Sequence, residues 1–257
     1  MGEEGIQKKY GGLKIIWNPL KLEALVNREI TAPLCVRVKP TNLCNHHCFY
    51  CSYDSALENK NILSQMMNRQ DNIPREKMME ILSDFRDMGV KAITYSGGGE
   101  PLIYPHIMET LEKTIEYGIK VSMITNGQRL NGKRAELLSE AKWVRISLDA
   151  CNSTTFSESR RVPEKMFQEL EQNLRNFSER KNPECELGVN FVVHHLNNKE
   201  VYTAAKFFKE IGVNHIKFTP RWIDEKGAWE KYHAPFKEEV IKQIKRAKEE
   251  LQDKHFD

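Results

Sequence analysis

Pro40-Thr-Asn-Leu-Cys44-Asn-His-His-Cys48-Phe-Tyr-Cys51 sets three cysteines in a Cys-x3-Cys-x2-Cys spacing within one short stretch. Thiolates this close suit an iron–sulfur cube, in which three of them hold three corners and leave the fourth iron open to a ligand. No fourth cysteine lies within the stretch or just downstream, which separates it from the four-cysteine ferredoxin run. A structural zinc site, with His46 or His47 as fourth ligand, is the competing reading, although zinc motifs usually come as two separated ligand pairs. A disulfide framework fits poorly. Six cysteines are few for 257 residues, a chain of this length buries a core without staples, and Met1–Tyr10 contains no apolar signal segment. Cys35, in an apolar strand-like run, reads as core, and Cys151 and Cys185 are scattered. The chain therefore reads as cytoplasmic and reduced.

Outward from this stretch, the composition is that of an ordinary globular protein, with 40% hydrophobic and 29% charged residues and a mean hydropathy of -0.60. A formal charge of +3 is too small to imply nucleic acid. Basic residues are densest over Lys237–Lys248, where acids alternate with them as on a solvated helix face. No apolar run approaches the ~20 residues of a membrane span.

Short runs rich in β-branched residues fall at Leu34–Val38, Ala92–Tyr95, Lys120–Ile124, Val144–Leu148, Leu187–Val193 and His215–Phe218, each the length of a buried parallel strand. Helical stripes lie between them. Met78, Ile81, Leu82, Phe85 and Met88 share a face between Pro74 and Gly89; Ile107, Met108, Leu111 and Ile115 do so before Gly118. Phe167, Leu170, Leu174 and Phe177 follow Pro163, and Val201, Ala204, Ala205, Phe208 and Ile211 precede Gly212. Six strands alternating with helices give an α/β fold of parallel βα units with right-handed crossovers, two units short of a closed barrel. Chemistry in such folds sits at the carboxyl ends of the strands.

Two motifs lie at such ends. The cysteine stretch follows the first strand, and Tyr95-Ser-Gly97-Gly98-Gly99-Glu100-Pro101 follows the second. Together they resemble the radical S-adenosylmethionine (SAM) superfamily, in which a three-cysteine motif with an aromatic residue before its last cysteine, here Tyr50, is followed by Gly-Gly-Glu. The resemblance covers roughly residues 33 to 220. It implies a partial (β/α)6 TIM-like barrel whose open side admits a large substrate. It also implies a 4Fe-4S cluster on Cys44, Cys48 and Cys51 that chelates the SAM amine and carboxylate, cleaves SAM reductively and releases a 5'-deoxyadenosyl radical. A low-potential donor such as flavodoxin or ferredoxin is implied as partner, and the substrate, a peptide or small molecule, is left unidentified.

The same resemblance maps the cofactor site. Gly98, Gly99 and Glu100 correspond to Gly-Gly-Glu, with the methionyl amine as partner; glycines allow close backbone approach and a carboxylate suits an ammonium. Asn126 in Thr125-Asn-Gly127 is a secondary candidate, beside a plain turn reading. Ser147 and Asp149 alternate onto one side and match the family's Ser-Leu-Asp near the ribose, with helix capping as the other account of Asp149. Arg161, marginally preferred to Arg160, is the candidate for the cofactor carboxylate. Asn190 and Phe218 match positions that contact ribose and adenine in relatives, and satisfied strand polarity and core packing are the alternatives. His194, His195, Trp222, Trp229, Tyr232 and His233 crowd the expected opening.

The expected division is an extension over 1–32, the core over 33–220, and a linker and helix over 221–257. Relatives that continue into SPASM or twitch regions carry auxiliary clusters; this sequence stops in a helical stripe of Phe236, Val240, Ile241, Ile244 and Leu251, so it reads as a minimal core or an amino-terminal part. A non-catalytic zinc or electron-transfer module is the alternative function. A phosphate-binding glycine loop ranks below it, because Glu100 would repel phosphate.

Overall fold

The computed structural model describes residues 16, 18–53 and 66–257, and the stretch Met1–Tyr10 lies outside them. The apolar runs are strands β1 (Cys35–Val38), β2 (Ala92–Tyr95), β3 (Lys120–Thr125), β4 (Trp143–Ser147), β5 (Glu186–Val193) and β6 (His215–Pro220). They form one sheet in sequential order with every neighbouring pair parallel. Parallel neighbours need a crossover after each strand, and helices supply them. The sheet ends at β1 and β6 rather than closing, which makes the architecture a partial six-unit barrel.

The helices among the described residues are α1 (Pro19–Val26), α2 (Arg75–Asp87), α3 (Ile107–Glu116), α4 (Gly132–Ser139), α5 (Ser153–Arg160), α6 (Lys165–Arg180), α7 (Val201–Ile211), α8 (Ala228–Tyr232) and α9 (Lys237–Leu251). Their stripes meet the sheet as the spacing requires: Met78 and Leu82 of α2, Leu111 of α3, Leu170 and Leu174 of α6, and Phe208 of α7 are fully buried with Ile93, Met123, Val144, Ile146, Leu187 and Val189. Gly89 and Gly118 follow α2 and α3 at φ +77° and +69°, and Gly212 caps α7 at +89°. A side chain rarely adopts that region, so these glycines end the helices where the sequence places them.

The strands alternate in what they present to the two faces of the sheet. Ile93, Val121, Val144, Leu187 and Val189 enter the core, whereas Arg37, Thr94, Arg145, Asn190 and Lys217 occupy the intervening positions. Helices cover only one face of the open barrel, so the opposite face keeps polar side chains. The expectation that Cys35 is core needs correction. It opens the edge strand β1 and is exposed rather than core, its thiol 3.8 Å from the Thr94 hydroxyl.

After β6 the chain returns over the barrel. Gln243 of α9 accepts from the Tyr202 amide at 3.2 Å and donates to the Asn198 carbonyl at 2.9 Å, pinning α9 on α7. The Ile216 amide donates to the Asp257 carbonyl at 2.8 Å, and Phe256 is buried beside it.

Candidate cofactor site

The cysteine loop leaves β1 and is stitched down on three sides. Towards 71–73, Asn42 N donates to the Asp71 carbonyl and Ile73 N to the Pro40 carbonyl, both at 2.9 Å. Towards the glycine loop, Gly99 N donates to the Thr41 carbonyl at 3.1 Å and Glu100 N to the Leu43 carbonyl at 2.7 Å. Towards α5, His47 N and Phe49 N donate to the carbonyls of Arg160 and Ser159 at 3.0 and 3.1 Å. The two motifs singled out by sequence therefore share backbone hydrogen bonds.

That contact explains one of the glycines. A Cβ on Gly99 would stand 1.8 Å from the Leu43 carbonyl oxygen, a backbone atom with nowhere to go. Gly99→Ala is expected to separate the two loops, whereas at Gly118, with nothing within 4 Å, alanine costs only backbone strain, about 1 kcal/mol. Iron retained per chain after reconstitution checks this: a marked loss for the first variant and none for the second.

Inside the loop, burial pushes the Cys44 thiol up to about 12, with Glu100, Cys48 and Cys51 adding to the rise. Burial pushes Cys48 up to about 11 against the pull of Arg160. Such thiols ionise only if a cation holds them, and the sulfur-only donor set suits iron–sulfur chemistry. Among the described residues no three His, Cys, Asp or Glu side chains converge on a point one metal ion would fill. The His46 ring lies edge-on to Phe156, ring centres 5.6 Å apart, and burial lowers its pKa to about 3.

Glu100 is buried, and both its oxygens accept hydrogen bonds. Oε1 accepts from Leu102 N at 2.9 Å and from the Thr125 hydroxyl at 2.5 Å, and Oε2 accepts from Asn126 N at 2.6 Å. Burial raises its pKa, and these hydrogen bonds oppose the rise. The residue expected to meet an ammonium thus ties the loop after β2 to the loop after β3. Asn126 extends the tie, its amide donating to Asn45 Oδ1 at 2.8 Å within the cysteine loop.

Asp149 is the centre of a second, fully buried network. Arg160 donates from Nε to Asp149 Oδ1 at 2.9 Å and also from its terminal nitrogen, and His194 Nε2–H donates to Oδ2 at 3.0 Å. The Leu196 amide donates to His194 Nδ1 at 3.3 Å, which fixes that tautomer. Asn197 donates to the Asp149 carbonyl at 2.8 Å, and the Tyr50 hydroxyl bonds the Asp149 carboxylate from the cysteine loop itself. Burial opposes ionisation of Asp149, but Arg160 and His194 outweigh it and hold the carboxyl well below its usual range. Because the folded pKa is depressed, this stabilisation is present above about pH 4 and is lost as pH falls through that range toward the folded value. Urea unfolding at pH 7 and pH 3 is expected to show the loss, with Asp149→Asn flattening the dependence.

The remaining candidates divide. Ser147 and Asn190 are register partners on the polar face of the sheet, and Asn190 reaches the Thr219 hydroxyl at 3.4 Å. Phe218 packs on Phe191 at 5.4 Å and lines an apolar groove with Trp229 and Val240. Arg161 is exposed at φ +53° as the left-handed cap of α5, and the arginine brought to the cysteine loop is Arg160. A helix turn separates the directions of adjacent side chains by about 100°, so only one of the pair can face inward. Thr125, His194 and Asn197 were not assigned from sequence, and only the position of the first two at strand ends pointed to them.

Comparison with known proteins fits this geometry. The profile of the Radical SAM superfamily matches residues 38–208. A probable GTP 3',8-cyclase of Methanocaldococcus jannaschii is 30% identical over 214 residues, 78% of this chain and 63% of that protein. An S-adenosylmethionine-dependent nucleotide dehydratase of Psychrobacter lutiphocae is 25% identical over 183 residues, covering 68% and 60%. Streptococcus suis SuiB bound to S-adenosylmethionine superposes with a TM-score of 0.62 at 18% identity, over 91% of this chain and 53% of SuiB, a likeness of fold. The chain spans less than two thirds of the length of these relatives. With the matched profile covering most of the barrel and both loops, the chain belongs to the radical SAM superfamily, whose members use a 4Fe-4S cluster and SAM.

Proposed function

We propose that this chain is the catalytic core of a radical SAM enzyme, with Cys44, Cys48 and Cys51 as the cluster thiolates. The observation that carries this is the joining of the cysteine loop to the glycine loop through Gly99, Glu100, Thr41 and Leu43. When bound, cluster and SAM supply a 5'-deoxyadenosyl radical that takes hydrogen from a substrate. The chain's residues orient and enclose. Gly98 and Gly99 let backbone approach the methionyl end, and Glu100 holds that backbone in place through its three hydrogen bonds rather than standing free. Asn126 keeps the loop after β3 beside the cysteines, and Ser147 and Asn190 offer hydroxyl and amide to the ribose from one row of the sheet. Asp149 and Arg160 lock the loop from beneath, with Tyr50 as its contact. Arg161 and Phe218 take no cofactor contact in this reading.

Among the described residues no helix is long and apolar enough to cross a membrane. A cytoplasmic setting with a flavodoxin or ferredoxin as electron donor suits the reaction. The names of the curated relatives favour a nucleotide as the substrate class. The test is spectroscopic: adding SAM to the reconstituted, reduced protein is expected to change the cluster's electron paramagnetic resonance spectrum, and an unchanged spectrum would contradict chelation at an open iron.

A further inference from the structure

The inner face of the sheet carries Arg37 on β1, Arg145 on β4 and Lys217 on β6. Their strand neighbours Val36, Val144 and Phe218 pack on the helical side, so the three charged side chains project from the other, inside the open barrel. Lys217 shares a register row with Asn190 and Ser147, the pair assigned to the ribose. Arg145 stands two residues before Ser147 on β4, about 7 Å deeper along the strand. Arg37 is within electrostatic reach of Arg145 although two strands lie between β1 and β4, as the curl of the barrel requires. Lys217 is two strands from Arg145 on the other side, about 10 Å, so the long side chains can close on one ligand.

None of the three is matched by an acid: among the described residues Arg37, Arg145 and Lys217 enter no ion pair and no side-chain hydrogen bond. Arg145 is half-buried, its guanidinium 5.8 Å from the Trp143 ring, and its Nε–H, a donor, is shut off from solvent with no acceptor. Burial and the Arg37 charge together lower its pKa, with no carboxylate acting against them. The acid on these strands, Glu186, is in register with Trp143, a row below Arg145. Gly188, the register partner of Arg145, leaves its place to the His215 imidazole, which a Cβ there would strike. Like charges held together and a buried donor without an acceptor both cost free energy, and an anion that reaches them relieves both. The other large cavities lack this balance. A 670 Å³ cleft beside Asn45 sets Glu169 among its cations, and the groove at Phe218 is almost wholly apolar.

We infer that Arg37, Arg145 and Lys217 bind a phosphate group of the substrate inside the barrel, deeper than the row of Ser147 and Asn190. Charge decides for phosphate over carboxylate. A carboxylate brings one negative charge to three unopposed cations, whereas a phosphate monoester brings close to two and three acceptor oxygens. The planar fork of arginine also matches phosphate oxygens in pairs. The inference rests on the radical SAM reading only in calling the ligand a substrate; the charges stand on their own placement.

Inorganic phosphate is titrated calorimetrically into the reconstituted protein, anaerobically and at low ionic strength, with acetate as a second probe. Arg145→Gln is expected to weaken phosphate binding about tenfold or more, by loss of a charge-assisted contact, and Arg145→Lys, which keeps the charge without the fork, by less. Arg37 and Lys217 are exposed, so Arg37→Gln and Lys217→Gln are each expected to weaken it several-fold. Arg86→Gln removes the same charge from the exposed side of α2, where Asp87 pairs with it, and is expected to bind like the wild type. No phosphate binding, or wild-type affinity in Arg37→Gln and Lys217→Gln, whose exposed positions leave the core intact, overturns the inference. So does a loss in Arg86→Gln equal to theirs, which would mean attraction to net charge alone. Acetate binding as tightly as phosphate overturns it too, as does displacement of phosphate by SAM, which would give the charges to the cofactor. Substrate-free formation of 5'-deoxyadenosine by the wild type is measured alongside. Its absence removes the enzyme reading, whereas its presence with phosphate indifferent to the variants removes the phosphate assignment alone.

Discussion

Replacing Asp149 by alanine is expected to lower the stability of the protein by about 3–5 kcal/mol, because it leaves the buried Arg160 charge without its partner. For a chain of this size that corresponds to a fall in melting temperature of roughly 6–20 °C. The effect should not stop at stability. The Arg160 and Ser159 carbonyls hold His47 and Phe49, and the Tyr50 hydroxyl bonds Asp149 directly, so the cysteine loop loses its floor. Iron incorporation should fall with the melting temperature. A double change, Asp149→Leu with Arg160→Met, removes both charges and is expected to recover part of the stability, since apolar replacements of a buried ion pair are often tolerated. A single variant that melts like the wild type would show that the network bears little on the fold.

Cys48→Ala carries the other large effect. Cys48 is half-buried within the electrostatic reach of Arg160, Asp149 and Cys51, and no cysteine outside the loop is placed to replace it: Cys35 is at the exposed edge of the sheet, Cys151 faces Glu200, and Cys185 is buried near Leu138. Loss of one ligand from a three-cysteine set leaves two irons without protein thiolates. Iron and sulfide after reconstitution are expected to fall to background while the melting temperature of the unreconstituted protein changes little. Retention of a full cluster would remove Cys48 from the ligand set. Cys151→Ala, measured in parallel, is expected to keep the cluster.

The barrel was legible because each helical stripe and each β-branched run is local, and glycines such as Gly89 and Gly212 mark where helices end. The polar face of the sheet was less so: Arg37, Arg145 and Lys217 look like interruptions in apolar runs until the pairing shows that they line one side. At the site, the cysteines and Gly98–Glu100 announce themselves by spacing. What spacing does not carry is which groups a side chain meets. Glu100 was expected to meet an ammonium; what the sequence does not show is that its oxygens also accept from Leu102, Thr125 and Asn126, contacts that depend on how the loops after β2 and β3 approach. Arg160 and Arg161 are equivalent in sequence. Only the direction of the last turn of α5 decides that Arg160 points to Asp149 and Arg161 to solvent. His194 and Asn197 join that network from beyond β5, a tertiary approach that no local pattern encodes.

The central claim is that the three thiolates and the joined glycine loop support reductive cleavage of SAM. The direct measurement is chromatography for 5'-deoxyadenosine after anaerobic reconstitution with iron and sulfide, followed by dithionite and SAM, with Cys48→Ala as control. Product from the wild type and none from the control is the expected result. A colourless protein that keeps zinc, or a stable cluster that yields no 5'-deoxyadenosine with or without added nucleotide, would contradict it.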